Sequence, residues 1–351
     1  MMPAIAPTPV SRAAIAAAAQ LLRDGGVVAI PTETVYGLGA VAMNPVAVRR
    51  VFAIKGRPAN HPLIVHLHSA DALPDWAREI PDAAWLLAER FWPGPLTLVL
   101  PRQPHVLDEV TGGQDSVALR VPAQPVAREL IAAAGALAAP SANRFGRVSP
   151  TTAAHVLAEL GDDVDMILDA GPCQVGLEST ILSLLDGKPA LLRPGAVTVA
   201  ELEAVLGCPV APPPHSLRAP GRLASHYAPV TPLELVAAGE FPQRLAAQGA
   251  PRVRIATMAH SPDAIAAAEA AGAAVTVMPA RAVEYGRALY AMLRRLDAAD
   301  HDLIIVETPP AAPEWLAVHD RLMRAAHRDS CEAGERDPPG SLLCCVPYRT
   351  E

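Results

Sequence analysis

The chain has 351 residues, of which 51% are hydrophobic and 19% charged. That length suits two domains of ordinary size, and the apolar content supports a packed core, which excludes a chain disordered throughout. A formal net charge of -7 argues against a broad nucleic-acid-binding face, which is normally basic, although not against a local basic pocket.

The first element is an alanine-rich stretch, residues 13–22, preceded by Arg12. Such a start imitates a signal peptide. Alanine is the best helix former, however, Arg23 suits a final turn, and Gly25 and Gly26 stop it, so an ordinary first helix is expected. No apolar run reaches the roughly 18 residues of a membrane span. Strand-like runs follow at 27–30, 63–67, 96–100, 117–121, 166–168 and 179–184, with helical patterns at 45–52, 83–90, 126–134, 152–159 and 199–206. This alternation predicts an α/β fold.

Residues 208–220 carry Pro209, Pro212, Pro213, Pro214 and Pro220, which predicts a stiff, extended linker. A second block, about 230–330, alternates strand-like runs (233–236, 253–256, 274–278, 303–307) with alanine-rich helices (282–296, 315–326), as a small parallel sheet would. The expected division is therefore 1–207, a linker 208–229, 230–330 and a polar tail 331–351. The five cysteines are odd in number and form no C-x-x-C pair, which argues against a zinc site or disulfide framework and suits a reducing cytoplasm.

Several segments carry chemistry. Residues 30–39 place Thr32, Glu33 and Thr34 just after a strand, with Gly37 and Gly39 allowing close backbone approach; the plainer reading is a tight strand-to-helix turn. Lys55 is one of only two lysines, and in an extended segment it and Arg57 would point the same way and suit a polyphosphate; a solvated basic turn is the alternative. No Walker A loop occurs. Arg120 sits inside an apolar strand and needs a partner, either a ligand carboxylate or an internal Asp or Glu. Ser141 and Asn143 alternate and can face one pocket, while Ser149 also suits a helix start.

With these residues in place, the chain resembles the YrdC-like family of threonylcarbamoyl-AMP synthases, in its long form. The resemblance rests on 31–39, Lys55-x-Arg57, Ser141-x-Asn143, 149–151, 176–180, 192–195 and 226–229, in family order over residues 13 to about 230. It implies a twisted open YrdC-like sheet with helices and a ligand cavity, followed by a smaller Rossmann-like α/β domain. It also implies that L-threonine, bicarbonate or carbon dioxide, and ATP with Mg2+ give threonylcarbamoyl-AMP and pyrophosphate. A tRNA threonylcarbamoyltransferase complex would then take the product, with no direct tRNA grip needed.

By the same resemblance, Thr34, His66, Arg120, the backbone around Ala139, and Ser179 would hold threonine, with Arg120 on its carboxylate. Arg57, His61, Ser116, Ser141, Ser149, Arg193 and Tyr227 would meet ATP, with Lys55 and Asn143 near the phosphates. Lys55 and Arg57 are the expected catalytic pair. His61 departs from the family's usual asparagine. Tyr227 suggests that the linker is a lid. The competing readings are an RNA-binding module, opposed by the charge and the 4% aromatic content, and a hydrogenase-maturation carbamoyl-transfer module, which would be longer and cysteine-rich.

Overall fold

The computed structural model describes residues 5–213, 217–247 and 254–327; the expected tail 331–351 lies outside them. The amino-terminal half opens with β1 (Thr8–Pro9), α1 (Arg12–Arg23), β2 (Val28–Ile30), β3 (Gly37–Val41), α2 (Pro45–Lys55), β4 (Ile64–His66), α3 (Leu73–Trp76) and α4 (Asp82–Phe91). It continues through β5 (Leu96–Pro101), α5 (Asp108–Thr111), β6 (Ser116–Arg120), α6 (Pro125–Ala134) and β7 (Leu137–Ala138). Its last elements are α7 (Ala153–Leu160), β8 (Met166–Asp169), β9 (Thr180–Ser183), β10 (Ala190–Arg193) and α8 (Val199–Leu206).

Local chemistry sets the helix ends. The Ser11 hydroxyl accepts the Ala14 N–H at the start of α1, and the Asn44 side chain accepts those of Val46 and Ala47 ahead of α2. Gly56, at φ 62°, ends α2 in the left-handed conformation that glycine adopts without strain.

The strands form one ten-stranded mixed sheet in the order β1-β8-β2-β3-β7-β4-β6-β5-β9-β10. Its central strands are buried on both faces: Leu63, Val65, Leu98 and Leu119 pack under α4, while Val28, Ile30 and Leu137 pack under α1 and α6. The carboxyl-terminal half contains β11 (Leu233–Val236), α9 (Phe241–Ala246), β12 (Ile255–Ala259), α10 (Pro262–Ala270), β13 (Ala274–Val277), α11 (Ala282–Asp297), β14 (Leu303–Glu307) and α12 (Leu316–Ala326). Its four strands are all parallel, in the order β11-β14-β12-β13. The fold is thus α/β, a large sheet followed by a smaller parallel one.

Two local expectations fail. Residues 30–39 do not turn into a helix. They form a hairpin in which β3 pairs antiparallel with β2, Ile30 opposite Gly37 and Val28 opposite Gly39. A Cβ on Gly37 would stand 3.3 Å from the side chains of both Ile30 and Ala139, so the glycine leaves room for them. Lys55, Gly56 and Arg57 are not extended either, because α2 runs through Lys55.

The halves share a core. Val35, Val148, Leu177 and Tyr227 pack with Tyr285, Tyr290, Leu293 and Val318 of the second half. Gly176 sits at φ 80°, and a Cβ there would lie 2.6 Å from the Arg287 backbone, so α11 rests directly on this turn.

Candidate active site

A partly open cavity lies where the β2–β3 hairpin, the ends of β4, β6 and β10, the loop after β7 and the start of β9 converge. Linker residues Pro220, Gly221, His226 and Tyr227 close one side. The cavity brings together Thr34, His66, Arg120, Ala139 and Ser179 from five separate segments. Arg57, Ser141, Arg193 and Tyr227 also line it.

At one end, register sets the geometry: β4 and β6 run parallel with His66 opposite Arg120. Arg120 is only 3% exposed. Its guanidinium donates to Glu33 Oε1 at 2.5 Å, Thr34 Oγ1 at 2.9 Å and the Gly94 carbonyl at 3.2 Å. The internal carboxylate, one of the two partners considered from sequence, is therefore Glu33, and the buried charge is neutralised within the protein. Glu33 Oε2 also accepts the Ala123 N–H at 3.0 Å. An arginine has five N–H groups, and three are engaged in these bonds, so two remain for a ligand.

His66 Nδ1 lies 3.2 Å from the Ile64 carbonyl, which makes it the protonated ring nitrogen. Burial, reinforced by the Arg120 charge, pushes the imidazole down to about 3, so the ring is neutral. The Ala139 N–H is engaged by the Ile64 carbonyl at 3.0 Å. The Ser179 hydroxyl meets Thr97 Oγ1 at 2.7 Å.

At the other end, Arg193 gathers the wall. It donates to the Ser179 carbonyl at 2.9 and 3.1 Å, the Ser179 hydroxyl at 3.2 Å and the Pro220 carbonyl at 3.3 Å. Arg57 donates to the Pro62 carbonyl at 2.9 Å and stands 5.7 Å over the Phe145 ring. Burial is the main reason that its pKa falls to about 10, still well above neutrality. Rings continue from His61 through Phe145 and His226 to Tyr227, with centroids 5.4, 5.9 and 4.1 Å apart. Arg57 Nε, His226 Nδ1 and the Tyr227 hydroxyl are buried with no hydrogen-bond partner in the protein. Gly221, at φ 78°, is required here, since a Cβ would come 2.0 Å from the Tyr227 hydroxyl.

Five expected residues do not line the cavity. The Lys55 ammonium, carried inward by the last turn of α2, is engaged by the Ser141 carbonyl at 2.6 Å and the Asn143 carbonyl at 2.5 Å. It shapes the loop from behind, and burial followed by the Arg57 charge holds its pKa well below the usual value. Asn143 donates to the Arg144 and Arg147 carbonyls at 2.7 and 3.0 Å, which also shapes that loop. Ser149 donates to Glu178 Oε1 at 2.5 Å. His61 stands edge-on behind Phe145. Ser116 opens the strand that Arg120 closes, about 13 Å away at 3.3 Å per residue, and lies in a separate groove with Arg78, Asp115 and Leu217.

Sequence reading passed over Glu178 as a site residue. It lines the cavity. Burial alone would raise its carboxyl, but the Arg321 and Arg193 charges and the Ser149 hydrogen bond overcome this and hold it at about 2. Only its place between Leu177 and Ser179 hinted at a role. As for Mg2+, no cluster of three or more His, Cys, Asp or Glu that could hold a metal occurs among the described residues. Glu178 is engaged by Ser149, Tyr290 and Arg321. No helix among the described residues is long and apolar enough to cross a membrane.

Comparison with known proteins places this arrangement. Residues 20–195 match the Sua5/YciO/YrdC family model, described as telomere recombination, and residues 197–327 match the Sua5 C-terminal model, described as threonylcarbamoyl-AMP synthase, C-terminal domain. A threonylcarbamoyl-AMP synthase of Bacillus subtilis is 41% identical over 335 residues, 89% of this chain and 92% of that protein. One from Pyrococcus abyssi is 39% identical, over 88% of this chain and 93% of that protein. The crystal structure of P. abyssi Sua5 complexed with L-threonine superposes with a TM-score of 0.84 at 37% identity, covering 92% of this chain and 97% of that one. The chain belongs to the Sua5/YciO/YrdC family and carries the C-terminal domain of its threonylcarbamoyl-AMP synthases.

Proposed function

We propose that this protein is a nucleotidyltransferase that condenses L-threonine, bicarbonate or carbon dioxide, and ATP into threonylcarbamoyl-AMP and pyrophosphate. The observation that carries the reading is the convergence of Thr34, His66, Arg120, Ala139 and Ser179 with Arg57, Ser141, Arg193 and Tyr227 on one cavity. The first set takes threonine and the second ATP. The two free N–H groups of Arg120 receive the amino acid's carboxylate. His66, neutral because burial and the Arg120 charge lower its pKa, adds no positive charge of its own beside the threonine amine.

The chemistry is positioning and charge stabilisation. The neutral threonine amine attacks the carbon of carbon dioxide, the nitrogen gives its proton to solvent water, and a carbamate forms. A carbamate oxygen attacks the α-phosphorus, the bond to the bridging oxygen breaks, and pyrophosphate departs. Arg57 and Arg193 face the developing negative charge. Lys55 and Asn143 act one layer back, by fixing the loop that presents Ser141. His61 supports Phe145, and Ser149 reaches the nucleotide end through Glu178; Ser116 is left with no direct contact in this scheme.

We assign 1–207 to the catalytic domain, 208–229 to a linker that covers the nucleotide, 230–330 to a second domain and 331–351 to a tail. The linker closes over the cavity at Pro220 to Tyr227 and excludes water from a hydrolysis-prone product. The adenylate passes to a cytoplasmic tRNA threonylcarbamoyltransferase complex, and the net charge of -7 suits a protein that need not grip tRNA itself. Pyrophosphate release with each co-substrate omitted in turn, and mass spectrometry of the adenylate, tests the reading. Release that needs both L-threonine and bicarbonate supports it, and release from ATP alone at the same rate contradicts it.

A further inference from the structure

Two side chains of the second half, Arg321 and Tyr290, hydrogen-bond to Glu178 of the cavity wall. Arg321, in the middle of α12, is 1% exposed. Its guanidinium donates to Glu178 Oε2 at 2.8 Å, to the Pro194 carbonyl at 3.0 Å and to Asp320 Oδ2 at 2.6 Å. The same group lies 5.1 Å over the Tyr227 ring. Tyr290, on α11, donates its hydroxyl to Glu178 Oε2 at 2.9 Å and stacks on Tyr227 with centroids 5.8 Å apart. Glu178 carries the contact onward, because its other oxygen accepts from Ser149.

Each of these contacts leads to one end of the cavity. Pro194 follows Arg193, Glu178 receives Ser149, and Tyr227 is the linker's own ring. None leads directly to Thr34, His66 or Arg120, whose bonds run to Glu33, Gly94 and Ile64 instead; the one link toward the threonine set is Ser179, held through Arg193. A guanidinium with three acceptors and an aromatic face is held in one orientation, and it can transmit that orientation.

We propose that Arg321, supported by Tyr290, is a positioning residue for the nucleotide end of the cavity, so that the second domain sets ATP affinity without touching ATP. The inference rests on the proposed reaction. It explains why Glu178 stays ionised inside the protein, and why the tight backbone contact at Gly176 is built beside it.

Steady-state kinetics of the full-length wild type, Arg321→Met, Arg321→Lys and Tyr290→Phe test it, with thermal melting of each. Wild-type turnover that depends on both co-substrates keeps the underlying reading intact, whatever the variants do. Arg321→Met is expected to raise the KM for ATP by about tenfold, inside the range of about 5- to 150-fold for coupled sites. The KM for L-threonine should stay within about twofold. Arg321→Lys should recover part of the loss, since one ammonium meets one acceptor in place of three. If Arg321→Met fails to fold, Tyr290→Phe, which removes a single hydroxyl, should still raise the KM for ATP selectively. Equal rises in both KM values, or a fall in kcat alone that tracks melting, would make the contact purely structural and overturn the proposal. An unchanged ATP KM in Tyr290→Phe and Arg321→Lys would overturn it too.

Discussion

In the ten-stranded sheet, β6 ends on Arg120; in the four-stranded sheet, β14 ends on Glu307. Both side chains are buried and charged, and the two regions use them in opposite ways. Arg120 is neutralised by Glu33 and still keeps N–H groups facing a cavity. Glu307 Oε2 accepts the backbone N–H groups of His260 at 2.7 Å and Ser261 at 2.9 Å, just before α10. In open parallel sheets a ligand sits beside the central strands where the connections diverge, and its anion rests on a helix N-terminus. The order β11-β14-β12-β13 puts that place between β12 and β14, and there a side chain of the protein already occupies it. Topology alone would send a search to the parallel sheet, whereas the arrangement of polar groups sends it to the mixed one.

The comparison breaks most visibly at Arg120. Arg120→Met leaves Glu33 buried without its cation, and we expect about 3–5 kcal/mol of destabilisation together with loss of threonine-dependent turnover. Urea unfolding and threonine calorimetry check both. The double variant Arg120→Met/Glu33→Leu sharpens the point, because it should recover much of the stability and none of the threonine binding. Gly176→Ala tests the junction between the regions: a Cβ pressed on the Arg287 backbone, at a positive φ, should cost about 1–3 kcal/mol. A smaller loss would mean that the halves can separate cheaply.

Glu307→Ala should cost about 1 kcal/mol, the scale of a lost helix cap, and leave both KM values unchanged. A raised KM for ATP would place chemistry in the parallel sheet after all. A separate test is in pH. Burial holds His66 and His226 at about 3, against 6.5 for a free imidazole. The unfolded chain therefore takes up protons below about pH 6.5 that the folded chain cannot, and stability falls as pH drops toward 3. Glu178, held at about 2 against 4.5, adds a further loss that begins near pH 4.5. Melting curves from pH 7.5 to 4 check the sign; a flat profile would mean that these histidines are hydrated.

Much of this was legible in the sequence, because periodicity reports burial. The runs at 233–236 and 303–307 became β11 and β14 with the same bounds. Short strands left no such signal. β7 has two residues, and β3 begins with Gly-Leu-Gly, where small residues that serve packing conceal a strand. β1, at two residues, is likewise too short for a periodic signal, and β10, at four, shows none. Arg120 announced itself as a buried charge, but its partner lay 87 residues away in sequence. Lys55 was conspicuous by rarity, yet one turn of helix decided that it faces two carbonyls rather than the cavity. Arg321 gave no local sign, since an arginine on an amphipathic helix is ordinarily a solvated one.

The most direct test is a crystal structure of the full-length protein with L-threonine and a non-hydrolysable ATP analogue. We predict the threonine carboxylate on Arg120, the triphosphate between Arg57 and Arg193, and Tyr227 against the nucleotide. A nucleotide bound instead at the end of β12 and β14, with Glu307 displaced from the His260 and Ser261 N–H groups, would contradict the account.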